Sequence, residues 1–116
     1  CRFNHSEVVA SITTYQRATH FYDESLLQEH LVAWGPLSVC VDAQYWQDYQ
    51  SGVMTWEECA YINMLDHCVQ LVGYDARGDS PYWTVRNSWG EDWGEKGYIR
   101  LQMWEDTCGI AHDATC

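Results

Sequence analysis

A tryptophan- and glycine-rich segment, residues 81–100, constrains the fold of this chain more than any other part of the sequence. It carries three of the seven tryptophans in 116 residues, and such large rings are normally buried or stacked in a core. Its first half is rich in β-branched and aromatic residues, which predicts a strand, and three glycines permit tight turns after it. We therefore expect the strand to carry the amide of Asn87 into a cluster of Trp83, Trp89 and Trp93. The alternative interpretation is a structural turn that Asn87 caps.

The charge balance narrows the range of partners. Six Lys and Arg residues against seventeen Asp and Glu residues give a net charge of -11, which repels phosphate backbones and anionic membrane surfaces. No apolar run approaches the roughly 20 residues that a membrane-spanning helix needs. We therefore expect an acidic surface in contact with water, no nucleic-acid partner and no membrane insertion.

Hydrophobic patterning predicts one helix followed by short strands. Asp23 is a suitable helix N-cap, and Gly35-Pro36 is a typical helix end. Four later segments are β-branched or aromatic-rich and separated by turns: residues 37–42, 67–74, 82–87 and 98–103. An earlier stretch is expected to be extended and a later one to form a short helical turn: residues 8–15 and 45–49. The pattern predicts one α+β domain, a small, mainly antiparallel sheet or partly closed barrel with one packed helix.

The six cysteines indicate an oxidising compartment, although their spacing does not determine how they pair. Cys40 and Cys68 lie in apolar strand segments and are expected to be buried as free thiols. The other four lie in polar or terminal surroundings, where disulfides are expected: Cys1, Cys59, Cys108 and Cys116. No C-x-x-C pair with matching histidines is present, so we expect neither a metal nor another cofactor. Asn4 begins an Asn-His-Ser sequence, which is a candidate N-glycosylation site.

His67 opens an apolar strand twenty positions before Asn87 and is the candidate partner of that amide. A histidine in such a place is commonly a packed or capping residue. Together, however, the two residues indicate chemistry, because an amide oxygen can accept the imidazole N–H and leave the other ring nitrogen free for proton transfer. A neutral amide adds no charge to stabilise an imidazolium, which suits a cysteine thiolate–imidazolium pair better than a serine mechanism.

Six segments of the sequence carry a family resemblance: residues 34–39, 45–52, 66–67, 72–74, 87–90 and 108–111. In order and over essentially the whole chain, they resemble the C-terminal half of papain-family cysteine peptidases of the cathepsin O, F or L type. The Asn-Ser-Trp-Gly block at 87–90, followed by Trp-Gly and Gly-Tyr, is the most specific of them. The resemblance implies that residues 1–116 form a papain-like right lobe.

The resemblance also implies roles for individual residues. His67 would be the catalytic histidine, Asn87 the residue that orients it, and Trp89 the ring that shields their hydrogen bond from water. Cys59 and Cys108 would form a disulfide within the lobe. Cys1 would bridge to a cysteine in an N-terminal lobe, whereas Cys116 has no counterpart in the family.

Three further positions match residues that line the family's pocket for the second residue before the scissile bond: Cys40, Leu65 and Asp113. Cys40 and Leu65 would favour an apolar side chain. An acid at Asp113 would allow the pocket to accept arginine as well, and the alternative is that Asp113 is simply a solvated acid near the chain terminus.

The nucleophile of the family is missing from this sequence, because no cysteine followed by tryptophan lies downstream of a suitable glutamine. Cys68 is not expected to replace it, since adjacent strand residues point to opposite faces and Cys68 would face away from the cleft that His67 faces. The partner implied is therefore an N-terminal lobe that carries the catalytic cysteine, as a separate chain or as a missing segment.

Two functions follow as hypotheses. In the first, the chain is the C-terminal lobe of a cysteine endopeptidase that hydrolyses peptide bonds in peptide or protein substrates, and it is inactive alone. In the second, it is a non-catalytic homologue that acts as a protein-interaction or structural module. The acidic composition, the cysteines and the glycosylation sequence favour a lysosomal, vacuolar or secreted protein over a cytoplasmic one.

Overall fold

A computed structural model describes residues 3–20, 22–59 and 64–116, which contain one α-helix and a six-stranded sheet. The helix α1 spans Glu24–Trp34. Asp23 begins it as predicted, because its carboxylate accepts the backbone N–H of Ser25 at 2.9 Å. Gly35 ends it with a φ of 93°, a left-handed conformation that glycine adopts without steric cost.

The sheet is mainly antiparallel. Its strands are β1 (Leu37–Val41), β2 (Val53–Met54), β3 (His67–Asp75), β4 (Tyr82–Arg86), β5 (Tyr98–Gln102) and β6 (Asp113–Thr115). Their order across the sheet is β2-β5-β4-β3-β1-β6, and only the β2–β5 pair is parallel. The α+β class and the single packed helix are thus confirmed, whereas the two short edge strands β2 and β6 were not predicted.

Alternation along the strands places one face of the sheet in the core. Leu27 and Leu31 of α1 belong to the same buried cluster, so the helix packs on that face. The buried strand residues are Leu37, Val39, Val41, Met54, Val69, Leu71, Trp83, Val85, Ile99, Leu101 and Ala114. Strand residues between them are exposed or half-buried, as expected for a sheet with one face toward water.

Two other segments with a predicted local structure, residues 8–15 and 45–49, belong to no helix or strand. Residues 8–15 form no strand, and Val9 and Ile12 within them are 99% and 82% exposed. Residues 45–49 form two successive turns, in which Trp46 and Tyr49 donate their N–H groups to carbonyls three residues earlier. None of the helices among the described residues is long and apolar enough to cross a membrane.

The expectation that Cys40 and Cys68 are buried free thiols is wrong, because the two form a disulfide with each other. They lie directly opposite in the antiparallel β1–β3 ladder, on the face away from the core, where Cys68 is exposed and Cys40 half-buried. The expectation treated each strand by itself. Cross-strand register brings the two sulfur atoms together, and composition within a strand carries no information about register.

A second disulfide joins Cys59 to Cys108, and both residues are buried. This is the pairing that the family resemblance implies. Cys116 carries a free thiol in the described part of the structure, and Cys1 lies outside the described residues.

Candidate active site

His67 and Asn87 meet at one end of the β3–β4 pair. His67 is the first residue of β3, and Asn87 directly follows the last residue of β4. Because the two strands are antiparallel, the start of one and the end of the other lie side by side. The imidazole Nε2 lies 2.8 Å from the Asn87 Oδ1 atom, which is a hydrogen bond.

The hydrogen-bond partners of Asn87 determine which ring nitrogen carries the proton. The backbone N–H of Ser88 also donates to the Asn87 Oδ1 atom, at 2.7 Å. An atom that accepts from a backbone N–H is the amide oxygen, so His67 must donate Nε2–H to it. In the neutral imidazole, Nδ1 is therefore the unprotonated nitrogen that can take up a proton.

An aromatic shell surrounds this hydrogen bond. The Trp89 ring stacks on the His67 ring with centroids 5.1 Å apart, and Trp46 meets His67 edge to face at 6.3 Å. Trp93 packs edge to face against Trp89, at 5.2 Å, and is stacked on Trp46. Asn87 is only 9% exposed, so its amide lies in surroundings from which water is largely excluded.

Trp83 does not belong to this shell, so the predicted cluster of three rings is wrong in one member. Trp83 and Asn87 are four positions apart, so both point to the same side of the extended chain but about 13 Å apart along it. Trp83 instead packs against Tyr74 and Trp104. Trp46 takes its place, from a turn that lies more than forty positions before Asn87 in the sequence.

Hydrogen bonds fix the position of the aromatic shell relative to the core. Trp93 donates its indole N–H to the Trp46 backbone carbonyl at 3.0 Å, and the Trp46 indole N–H points to the Cys108 Sγ atom at 3.2 Å. The Tyr49 ring packs on Trp93, and its hydroxyl donates to the Gly52 carbonyl at 2.6 Å. Burial raises the pKa of the Tyr49 hydroxyl, which therefore stays protonated and keeps this donor.

The turns after β4 require glycine at a specific place. Gly94 has a φ of 56°, and a Cβ atom there would lie 2.7 Å from the Tyr98 carbonyl oxygen. Gly97, with a φ of 89°, accepts the backbone N–H of Asn87 at 2.9 Å. These contacts fold the segment back on itself, so that Trp89 reaches His67 and Trp93 packs against Trp89.

A charged pair lies on the outer side of the shell. Arg100 donates from Nε to the Glu95 carboxylate at 2.9 Å, and the same carboxylate accepts the N–H of Gly52 at 3.0 Å. These donors hold the pKa of Glu95 below its ordinary value, mainly through the hydrogen bonds from Arg100. Glu95 therefore ties the turn after β4 to the turn that precedes β2.

The polar atoms of Asn87 are not all satisfied. Its Nδ2 atom is buried and has no hydrogen-bond partner among the described residues. A buried unpaired donor costs free energy, so this amide is held in place by its other contacts despite that cost.

The residues expected to line a substrate pocket are partly brought together. Cys40 and Asp113 are direct cross-strand partners in β1 and β6, and Leu65 is half-buried two residues before His67. Asp113 also forms an ion pair with Arg17, at 3.7 Å, with both side chains about half exposed. An exposed pair of this kind is weak.

The remaining predicted site residue, Asn4, is exposed and caps a single turn at His5–Glu7. Its Oδ1 atom accepts the backbone N–H of Ser6, and its amide donates to the Glu7 carboxylate. Among the described residues, no group of three or more His, Cys, Asp or Glu side chains is arranged to hold a metal ion.

Sequence and structure comparisons assign the chain to a known family. The family model described as "Papain family cysteine protease" matches residues 1–116 of the sequence. A cysteine proteinase of Dictyostelium discoideum is 38% identical over 97% of this chain, and human cathepsin O is 39% identical over 94% of it. A digestive procathepsin L of Tenebrio molitor superposes with a TM-score of 0.86 and 35% identity over 99% of this chain.

The chain is much shorter than these relatives. It covers 33% of the Dictyostelium protein, 33% of human cathepsin O and 38% of the Tenebrio chain. In each case it spans roughly a third of the relative's length. The chain belongs to the papain family of cysteine proteases and corresponds to the C-terminal part of its cathepsin-like members.

Proposed function

We propose that this chain is the C-terminal lobe of a papain-like cysteine endopeptidase and supplies the histidine and asparagine of a Cys-His-Asn site. The observation that carries the proposal is the 2.8 Å hydrogen bond from His67 Nε2 to Asn87 Oδ1 inside the tryptophan shell. The nucleophile would come from an N-terminal lobe, and residues 1–116 alone would be inactive.

In this mechanism His67 moves protons through Nδ1. It takes the proton of the cysteine thiol, and the resulting thiolate attacks the scissile carbonyl carbon. The imidazolium then gives its proton to the departing amine as the C–N bond breaks, leaving a thioester. Finally His67 removes a proton from water as the water oxygen attacks the thioester carbonyl; the C–S bond breaks, the carboxylic acid product leaves, and the imidazolium returns its proton to the thiolate.

Asn87 has a positioning role in these steps. Because Nε2–H remains bonded to its amide oxygen, the ring keeps the tautomer that leaves Nδ1 free for the thiol. Trp89 covers the bond on one ring face, and exclusion of water strengthens a hydrogen bond of this kind.

The remaining parts of the proposal follow from the family resemblance. The N-terminal lobe would be joined through Cys1, and the pocket formed by Cys40, Leu65 and Asp113 would accept an apolar or arginine side chain. We propose a lysosomal, vacuolar or secreted location, with Asn4 as a glycosylation site.

Labelling of the full-length protein with a peptidyl epoxide, followed by mass spectrometric mapping, tests the proposal. We expect one label, on a cysteine upstream of this chain, and loss of labelling in a His67→Ala variant. A His5→Ala variant is the matched control, because His5 is exposed and far from Asn87 in sequence. Absence of any label upstream, or a label confined to Cys116, would favour a non-catalytic interaction module instead.

A further inference from the structure

His67 lies on a part of β3 that has a neighbouring strand on one side only. Residues 67–69 pair with β1, whereas the ladder with β4 begins at the pair Gln70 and Arg86. Ladder ends open more readily than ladder centres, since fewer contacts hold them. The backbone that carries His67 therefore depends on β1 for its position.

The Cys40–Cys68 disulfide closes this one-sided ladder covalently. Val41 and His67 form the last residue pair of this ladder, and the disulfide joins the pair next to it. On the other side of His67, Asp66 donates its N–H to the Val41 carbonyl at 3.0 Å. The His67 rung thus lies between a covalent link and a hydrogen bond.

The disulfide contributes little to filling the core. Side chains alternate along β3, so the sulfur atoms lie on the outer face while the His67 ring packs against Trp89 and Trp46. Cys68 is exposed and Cys40 half-buried. The bond is therefore placed where it restrains the backbone, next to the residue whose side chain makes the contact with Asn87.

We infer that Cys40 and Cys68 are positioning residues for His67. Their disulfide keeps the first residues of β3 against β1, and so holds the imidazole at hydrogen-bonding distance from Asn87. The catalytic consequence of this inference rests on the proposed function, whereas its structural part concerns this chain alone. Displacement of a catalytic group by about 1 Å lowers rates by up to about a hundredfold.

The first test removes the bond in the full-length protein with a Cys40→Ala/Cys68→Ala double variant, which leaves no unpaired thiol at either position. We expect kcat for peptide cleavage to fall by about tenfold to a hundredfold, and KM to change as well, because Cys40 lines the proposed substrate pocket. In protein labelled with ¹⁵N-histidine, we expect the Nε2–H proton of His67 to exchange with water at least tenfold faster. Alkylation and mass spectrometry establish that the bond is intact in the wild type under the assay conditions.

A shifted disulfide separates positioning from general stabilisation. Ser38 and Gln70 are opposite each other two rungs further along the same ladder, on the same face, where β4 already supports β3. Adding Ser38→Cys/Gln70→Cys to the double alanine variant restores a β1–β3 cross-link away from His67. We expect it to recover thermal stability but not kcat or slow Nε2–H exchange.

Two results would overturn the inference: unchanged kcat and exchange in the double alanine variant, or full recovery of both by the shifted disulfide. Failure of the proposed function has a different signature. If the wild-type protein cleaves no peptide and takes no epoxide label, the proposed peptidase is wrong, and the exchange rate of the His67 proton still decides whether the disulfide positions the ring.

Discussion

The indole N–H of Trp83, buried in β4, donates to the carboxylate of Glu24 in the first turn of α1, at 2.6 Å. The same carboxylate accepts the backbone N–H groups of Trp104 and Asp106. A single buried side chain therefore ties the helix to the central sheet and to the segment that leads to Cys108. Burial raises the pKa of Glu24 above its ordinary value of 4.5, despite these three donors.

The raised pKa predicts a pH dependence of stability. A folded-state pKa above the unfolded one means that the folded chain binds the proton more tightly, so the contribution of this carboxyl group to stability is greatest in acid. The free energy of unfolding should fall as pH rises from about the ordinary carboxyl pKa through the raised value. Burial raises the pKa of Asp106 as well, which adds to the slope in the same direction.

Glu24→Gln should flatten this slope and lower the free energy of unfolding by about 1–3 kcal/mol. The NH₂ group of the glutamine would face an N–H donor whose hydrogen bond the carboxylate accepts in the wild type, and that hydrogen bond would be lost. Urea unfolding at a series of pH values measures both effects. Glu29→Gln, an exposed position on the same helix, is the control and should leave the slope unchanged. A wild-type slope retained in Glu24→Gln would assign the pH dependence to other groups.

Replacement of Asn87 should affect catalysis through the orientation of His67. Under the proposed function, Asn87→Ala should lower kcat by roughly tenfold to a thousandfold, which is less than the loss on replacing His67. Asn87→Asp should retain the acceptor and add a negative charge that favours the imidazolium. The pH–rate profile of that variant should therefore shift to higher pH, and Ser88→Ala, at an exposed neighbour, should behave as wild type.

The Trp89 ring should protect the hydrogen bond more than it stabilises the fold, since it is 41% exposed. Trp89→Ala should speed solvent exchange of the His67 Nε2–H proton at least tenfold while changing the melting temperature little. Trp89→Phe keeps a stacked ring, so its exchange rate should lie between those of the wild type and of Trp89→Ala. Equal exchange rates in all three proteins would show that Trp46 and Trp93 exclude water without it.

The contact between Gly94 and the Tyr98 carbonyl predicts a steric effect that differs between two glycines. Gly94→Ala should destabilise the protein by about 1–3 kcal/mol, because the added methyl group would lie 2.7 Å from a backbone oxygen. Gly90→Ala is the matched control: its φ of 93° is also positive, but nothing lies within 4 Å of a Cβ atom there. The melting temperature of Gly94→Ala should be lower than that of Gly90→Ala, and the reverse order would contradict the steric explanation.

The sequence predicts the helix and the four longer strands because each carries a complete local pattern of caps, turns and alternation. The juxtaposition of His67 and Asn87 could also be predicted, since each lies at the end of a strand and the family resemblance pairs them. The edge strands β2 and β6 could not be predicted in this way. They are two and three residues long, too short for any periodicity.

Two features of the site depend on contacts that are distant in sequence. The ring of Trp46 reaches His67 from a separate turn, and no local pattern near residue 46 indicates its partner. The Cys40–Cys68 bond depends on the register between two strands 28 residues apart. Register is set by the whole hydrophobic face and its turns, so cysteine positions within each strand do not reveal it.

His67 and Asn87 lie on one β-hairpin, at the open end formed by the start of β3 and the end of β4. In a two-lobed protein, a hinge motion would carry both residues together as a rigid unit. Opening or closing the cleft would change the distance from imidazole to thiol without changing the tautomer of the ring. Under the proposed function, separation of the lobes would silence the enzyme and their return would reactivate it, without any need to re-form the His67–Asn87 hydrogen bond.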